Sequence, residues 1–358
     1  MKILIATGGS GGHVFPALCV AQELKKNNHQ IIFAGTSGAI TKKIEENGFD
    51  LAVLSSKGVS FASVNSFFVS IFYMMKAMVQ SFSLLKDLKP DVVVGFGGYG
   101  AFPVLLVSSL LRYPTLIHEQ NVVPGRANRI LSKVVRKIAI SFEKSRKYFP
   151  LSKTALTGCP CRSEKKQLTK EELLKKFNLQ NNRFTILVLG GSQGSHRINQ
   201  EFLKVAPLLK KDLEFQVIHL TGGQDCDDLK KKYDDIDIPV SLFSFLDEIE
   251  EAYRITDLVV SRAGAVTIFE IALFGLQAIL IPYPFAKGHQ RENAKILCDT
   301  NVAKMIEEKD LSTEKLKGEI LNMALDKIPK DKIVQQTRNF FFPDAAVRLT
   351  NEITLLRK

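Results

Sequence analysis

The sequence predicts an α/β chain made of two Rossmann-like parallel-sheet halves. Three observations carry this. The chain has 358 residues, more than one compact core usually encloses. Short apolar or β-branched runs alternate with longer helical stretches from end to end, the pattern of parallel strands covered on both faces. A strand-to-glycine turn then occurs twice, as Ile3-Leu-Ile-Ala-Thr-Gly-Gly-Ser-Gly-Gly-His13 and as Ile186-Leu-Val-Leu-Gly-Gly-Ser-Gln-Gly-Ser-His196.

Taken in order, residues 2–6, 30–34, 91–95, 115–118 and 137–140 read as strands of the first half, with helical stretches such as 14–26 and 101–111 between them. The apolar run that opens the chain is too short for a signal-peptide core and fits a first strand. In the second half, residues 184–189, 215–220, 240–243, 258–260 and 278–281 read as strands, and 198–209, 266–274 and 290–299 as helices. A linker is expected near 161–167. A last helix over 344–356, introduced by Pro343, is free to pack on either half. The domains predicted are 1–161 with 340–358, and 162–339.

Residues 66–85 break the alternation. They are rich in Phe, Met, Ile and Tyr, interrupted by Lys76, Gln80 and several serines. A buried core helix, a membrane-surface helix and a span are all open. The span carries the largest cost, since Lys76 would sit near the bilayer centre at roughly 2.5 kcal/mol or more.

Composition narrows the partners. A hydrophobic fraction of 45% and a charged fraction of 24% are ordinary for a folded protein, and the formal net charge of +12 favours anionic partners. The five cysteines contain no C-x-x-C pair and read as reduced thiols rather than a disulfide framework. Cys159-Pro-Cys161 has no companion His/Cys cluster to complete a metal site.

Several strand ends carry chemistry. Gly8-Gly-Ser-Gly-Gly-His13 follows a strand and opens a helix, so backbone N–H groups and the helix terminus can approach an anion. It is neither G-x-G-x-x-G, since Val14 stands at the third glycine, nor a P-loop. Both glycine turns also fit G-x-S-x-G, which would make Ser10 or Ser192 a nucleophile. The motif's duplication, and the lack of an acid-then-histidine order around His196, His219 and His289, argue against a hydrolase. Gly95-Phe-Gly-Gly-Tyr99-Gly100 is a third such turn, expected to line the same crevice as the first. His118-Glu119-Gln120-Asn121 places four polar groups at a strand end, where they suit sugar hydroxyls or, for Glu119, a general base. In Arg262-Ala-Gly-Ala-Val-Thr-Ile-Phe-Glu270 the helix starts near Ala265, and Glu270 could accept two bonds from a vicinal diol. Pro282-Tyr-Pro and His289-Gln290 supply a further polar loop. The pairs Asp225/Asp227 and Asp235/Asp237 lie among lysines and read as solvated surface.

The ordered set GGSGGHVFPAL, GFGGYGAFP, HEQNVVPGRAN, GGSQGSHRIN and SRAGAVTIFE resembles the MurG family of N-acetylglucosaminyltransferases, over nearly the whole chain. The resemblance implies a GT-B fold, two Rossmann-like domains facing across a cleft. It implies an inverting transfer of GlcNAc from UDP-GlcNAc to the 4-hydroxyl of MurNAc in undecaprenyl-linked lipid I, giving lipid II in peptidoglycan biosynthesis. No cofactor, obligatory metal or nucleic-acid partner is implied. The expected place is the cytoplasmic face of the bacterial plasma membrane, against anionic phospholipids, which favours surface docking by residues 66–85. By motif, Ser10, Gly11, Gly12 and Tyr99 would line the substrate site and Asn121 would meet the donor sugar. Arg162 would lie near the donor, Ser192 would face the diphosphate, and Leu246 would read uracil through its backbone. Ala265, Val266, Thr267, Ile268, Phe269 and Glu270 would hold diphosphate and ribose, and Gln290 the GlcNAc hydroxyls. His13 is the implied base, with Glu119 as competitor. Two positions depart from the family pattern: Cys159-Pro-Cys-Arg162 where Asn-Pro-Val/Ile-Arg is usual, and Ser10 where Thr is common. Another GT-B lipid glycosyltransferase, such as one acting on diacylglycerol, and a UDP-GlcNAc epimerase remain alternatives.

Overall fold

A computed structural model describes residues 1–38, 40–55, 64–162, 168–285 and 288–357, with backbone alone at 64–68. Residues 163–167 of the expected linker lie outside these. The chain divides into two compact units, Met1–Cys161 with Phe342–Lys358, and Arg162–Phe341.

The first unit runs β1 (Lys2–Thr7), α1 (Gly11–Lys26), β2 (Gln30–Gly35), α2 (Lys42–Glu46), β3 (Asp50–Val53), α3 (Val64–Leu88), β4 (Val92–Gly95), α4 (Gly98–Leu110), β5 (Thr115–Glu119), α5 (Arg126–Leu131), β6 (Lys137–Ile140) and β7 (Thr154–Leu156). Its seven strands pair in the order β3-β2-β1-β4-β5-β6-β7, all parallel. Successive side chains of a strand face opposite ways, and here both faces are covered. Ile3, Ile5, Val92 and Val94 join one apolar cluster with Val14, Ala17 and Leu24 of α1. Leu4, Ala6, Val93 and Ile117 join another with Leu85, Val104, Leu105 and Leu131 of α3, α4 and α5.

The second unit runs α6 (Lys170–Lys176), β8 (Phe184–Leu189), α7 (His196–Leu209), β9 (Phe215–Leu220), α8 (Cys226–Asp234), β10 (Val240–Phe243), α9 (Ile249–Ile255), β11 (Leu258–Ser261), α10 (Ala265–Leu273), β12 (Gln277–Leu280), α11 (His289–Cys298), β13 (Ala303–Met305), α12 (Thr313–Leu325) and α13 (Lys330–Thr337). Its six strands pair in the order β10-β9-β8-β11-β12-β13, again all parallel. Ile186, Val188 and Val260 pack with Ile198, Phe202 and Val205 of α7.

The chain ends in α14 (Ala345–Leu355). Its Leu349 and Ile353 are fully buried in the β1/α1 cluster of the first unit. Each such side chain stabilises the attachment by about 1.5–3 kcal/mol. The helix therefore packs on the first half rather than the second.

In both sheets the chain reverses its direction of growth between the first strand and its later neighbour, β1 beside β4 and β8 beside β11. Ligands of open α/β sheets bind beyond the strand ends at this point. The glycine-rich turns after β1 and β4, and those after β8 and β11, stand there.

Candidate active site

In the first unit, Ser10 caps α1 in extended conformation. Its Oγ lies 2.8 Å from His13 Nδ1, one helical turn on. The imidazole rests on the glycines of the neighbouring turn. A Cβ on Gly97 would come within 3.2 Å of His13 Nε2, and one on Gly98 would meet Gly8 Cα at 2.7 Å. Both glycines have positive φ, 85° and 78°, so the β4 turn is glycine-rich for backbone shape as well as for space. His13 is half-buried by accessible surface. Crowding by this backbone and loss of water push its pKa down to about 4. Gly11 is buried, Gly12 is exposed, and Tyr99 on the first turn of α4 is exposed. Ser10, Gly11, Gly12, His13 and Tyr99 thus gather at the β1/β4 switch point.

Glu119, at the end of β5, is 2% exposed. Its Oε1 accepts from the Asn121 backbone N–H at 2.9 Å and from Asn121 Nδ2 at 3.1 Å. Its Oε2 accepts from the Gly125 N–H at 3.1 Å and from Asn128 Nδ2 at 2.8 Å. Burial pushes its carboxyl above the ordinary carboxylate range, and these four donors draw it part of the way back. A carboxylate so enclosed is built to shape the 121–128 turn, with Asn121 held in place by it. His118 is buried too. It bonds the Gly158 carbonyl through Nε2 at 3.0 Å and Gln120 Nε2 through Nδ1 at 3.2 Å. Burial holds it near pKa 4.

In the second unit, Ser192 stands exposed on the turn after β8. Ser195 caps α7, its side chain accepting from the Ile198 N–H. That helix start is tied to the next strand by a network the sequence does not reveal. His196 Nδ1 lies 2.9 Å from Asp225 Oδ1, and Asn199 Nδ2 reaches Asp225 Oδ2 at 2.7 Å and the Thr221 carbonyl at 2.8 Å. Asn199 Oδ1 lies 3.1 Å from His219 Nε2, whose Nδ1 lies 2.9 Å from Tyr233 Oη. Asp225 is therefore not the solvated aspartate its lysine-rich surroundings suggest. Burial pushes its carboxyl up, but the hydrogen bonds from His196 and Asn199 outweigh this and hold it below the usual range. Asp237 does lie at the surface, paired with Lys210 at 2.7 Å.

Beyond β11, Gly264 caps α10 and Ala265 opens it. Only the first turn can present backbone N–H groups outward. Ile268 and Phe269 are core side chains, 0% and 1% exposed; the Ile268 N–H bonds the Gly264 carbonyl at 3.0 Å, and Phe269 packs on Phe341. Both side chains hold the helix in place. Val266 is nearly buried and Thr267 half-buried. Glu270 is not a solvated helix residue. Its carboxylate is buried and accepts from Arg162 Nε and Nη2 and from Tyr253 Oη. Arg162 Nη1 also donates to the carbonyl of Asp247, next to Leu246. Gln290 Oε1 accepts from the Ala263 and Tyr283 N–H groups at 3.1 and 2.9 Å. Its amide orientation is thereby fixed, with N–H₂ as the outward donor. Arg262 pins the same loop, donating to the carbonyls of Ile281 and Pro282 and pairing with Glu308. Among the described residues no group of three or more His, Cys, Asp or Glu could hold a metal ion.

Residues 3–140 match the glycosyltransferase family 28 N-terminal domain and residues 185–349 the glycosyltransferase family 28 C-terminal domain. A UDP-N-acetylglucosamine–N-acetylmuramyl-(pentapeptide) pyrophosphoryl-undecaprenol N-acetylglucosamine transferase of Thermodesulfovibrio yellowstonii is 38% identical over 333 residues, covering 92% of this chain and 90% of the relative. One of the same name from Geotalea daltonii is 36% identical, covering 99% of this chain and 97% of the relative. The crystal structure of Acinetobacter baumannii MurG superposes with a TM-score of 0.75 at 28% identity, over 99% of each chain.

Proposed function

The chain belongs to glycosyltransferase family 28, among the UDP-N-acetylglucosamine–N-acetylmuramyl-(pentapeptide) pyrophosphoryl-undecaprenol N-acetylglucosamine transferases, and from that membership we propose its reaction and its site. It transfers GlcNAc from UDP-GlcNAc to the 4-hydroxyl of MurNAc in lipid I, forming lipid II. The observation that carries this is the near full-length identity to transferases of that name.

The acceptor hydroxyl loses its proton as its oxygen bonds the anomeric carbon, and the C1–O bond to UDP breaks with the electron pair leaving on the diphosphate. The configuration at that carbon inverts. His13 suits the base. With the proton on Nδ1 donated to Ser10 Oγ, Nε2 keeps a lone pair, and a pKa near 4 leaves the ring unprotonated at neutral pH. Glu119 has no such opening and acts by holding Asn121. Charge developing on the departing UDP falls to backbone donors of the turn at Ser192 and of the first turn of α10. These groups supply stabilisation without a metal ion. Gln290, presenting donors only, suits the oxygens of the sugar, and Glu270 suits the ribose diol.

The acceptor's lipid brings the enzyme to a membrane surface. On α3, Val69, Phe72, Met75, Val79 and Phe82 are exposed, while Ser70, Ala77, Ser81 and Leu85 are buried. One face of α3 packs into the core through Leu85, Met78 and Leu84, and the opposite face is apolar as well, which supports the surface-docking reading of this stretch. Among the described residues no helix is long and apolar enough to cross a membrane. The outward stripe, with Lys76 and Lys86 exposed beside it, suits the anionic cytoplasmic leaflet. Incubation with radiolabelled UDP-GlcNAc and a lipid I analogue, beside a diacylglycerol control, tests the assignment. Label on the lipid I analogue alone is expected, and label on diacylglycerol alone overturns it.

A further inference from the structure

The glycine turns that follow β8 and β9 lie backbone against backbone. A Cβ on Gly194 would strike the Thr221 carbonyl oxygen and lie 2.8 Å from Gly222 Cα, and one on Gly222 would strike the Gln193 carbonyl. Both glycines have positive φ, 79° and 78°, and no side chain fits between the two turns. The Thr221 carbonyl that closes on Gly194 accepts from Asn199 Nδ2 at 2.8 Å, and the same nitrogen donates to Asp225 Oδ2 at 2.7 Å. Asn199 is fully buried on α7, the helix that follows the first turn, while Thr221 and Asp225 belong to the second turn. We propose that Asn199 is a positioning residue for the donor: it clamps the turn after β9 behind Gln193 and Gly194, and so holds the Ser192 turn in the shape that receives the diphosphate. The inference rests on the diphosphate reading of that turn.

The clamp has a single hydrogen-bonding arrangement. Asn199 Nδ2 faces a carbonyl and a carboxylate, which only accept, so the amide cannot be turned round. Its Oδ1 then faces His219 Nε2 at 3.1 Å, and that nitrogen must carry the ring proton. His219 Nδ1 is left with a lone pair and accepts from Tyr233 Oη at 2.9 Å. Burial holds the ring neutral, with a pKa near 3. Asn199, His219 and Tyr233 are all buried, and each group is paired within the protein. An amide fixed at both ends in this way gives the Thr221 carbonyl one position. Without Asn199 that carbonyl, on a residue 2% exposed, loses its donor while still pressed against Gly194. It can reach water only by rotation of the peptide between Thr221 and Gly222, which moves the wall behind Gln193 and Gly194. A shift of about 1 Å at a binding group can cost about 100-fold. The places assigned to uracil and ribose, at Leu246 and Glu270, take no part in the clamp, so its loss is felt by the phosphates alone.

The test is calorimetric binding of UDP and of uridine to the full chain and to Asn199→Ala, Asn199→Asp, Ser192→Glu and Met323→Ala, each checked by thermal melting. Asn199→Ala should weaken UDP by about 10-fold or more and raise KM for UDP-GlcNAc in step. Uridine binding and KM for a lipid I analogue should stay near wild type. Asn199→Asp keeps the shape and the bond from His219 but removes both donations. It should act in the same direction, and it decides the matter if the alanine variant fails to fold. Met323→Ala truncates a core side chain of α12. It should lower the melting temperature and leave both ligands alone, which separates the clamp from general loosening. Folded Asn199 variants that bind UDP normally, or that lose UDP and uridine equally, overturn the proposal, as does an equal loss of UDP in Met323→Ala. Ser192→Glu sets a like charge on the exposed turn and should weaken UDP by about 10-fold while sparing uridine. If it leaves UDP unchanged, the diphosphate reading is wrong and the proposal goes with it. If it weakens UDP while the Asn199 variants do not, the clamp fails and the diphosphate reading stands.

Discussion

Ser10 and His13 stand one turn apart on α1, and their 2.8 Å contact decides which imidazole nitrogen is left to act. Removing the ring and removing the Glu119 carboxylate should therefore fail differently. His13→Ala should lower kcat by about 100-fold or more, the upper part of what general-base catalysis contributes, with UDP binding and melting temperature near wild type. The acid limb of kcat/KM should fall near pH 4 rather than 6.5, since burial holds the imidazole low. Glu119→Gln turns an acceptor of four hydrogen bonds into a group with a donor facing donors. It should cost about 2–4 kcal/mol of stability and lower the melting temperature along with activity. A His13→Ala enzyme with near-normal kcat would remove His13 from the base role. Residues of this kind were legible in the sequence because polar groups at a strand's end are poor core material and draw the eye there, although Glu119 turns out to be used structurally, in the 121–128 turn. Tyr253, Asn199 and the partnership of Arg162 with Glu270 were not legible. Each acts through a contact that only folding creates, the last spanning 108 positions.

At the scale of elements, legibility followed burial. Strands buried beyond their first residue, such as Phe184–Leu189 and Lys137–Ile140, are largely apolar. The edge strands β3 and β13 are short and partly exposed, and β7 is three half-buried residues. Their strand character comes from a neighbour's hydrogen bonds rather than from their own side chains. Helices α1 and α4 begin earlier than their apolar residues suggest, since glycines open them. The helix α3 was ambiguous for a physical reason. Its apolar content fits core, surface and span alike, and only packing against α4 shows which face is outward. The side chain of Phe68, within this stretch, lies outside the described residues, so the test falls on Phe72 and Val79. Phe72→Asp with Val79→Asp should reduce binding to phosphatidylglycerol vesicles by about 10-fold or more, at roughly 1.5–3 kcal/mol per apolar side chain lost from the interface. Turnover of a short-chain, water-soluble acceptor should persist. Equal vesicle binding by the double variant would show that the stripe does not dock.

Across the whole molecule, each unit encloses a histidine that folding keeps neutral. His118 in the first unit is fully buried with a pKa near 4, and His219 in the second is fully buried with a pKa near 3. Both are lowered by burial from the ordinary 6.5. The unfolded chain therefore takes up protons first as pH falls, and stability present above 6.5 is lost between there and the folded value. Per histidine the slope approaches about 1.4 kcal/mol per pH unit, and the loss reaches roughly 3 kcal/mol near pH 4. Glu119 works the other way. Its carboxyl is raised by burial, so the folded chain binds that proton first and gains stability as pH falls through its range. One carboxyl cannot cancel two histidines, and between pH 6.5 and 5 ordinary carboxylates are still ionised in both states. Melting temperature should thus be flat from pH 8 to 7 and decline from 6.5 to 5. His118→Gln and His219→Gln, each keeping a hydrogen-bonding side chain, should start lower but decline less steeply. A melting temperature that is constant from pH 7 to 5 in the unaltered protein would mean that these imidazoles are not held neutral by the fold.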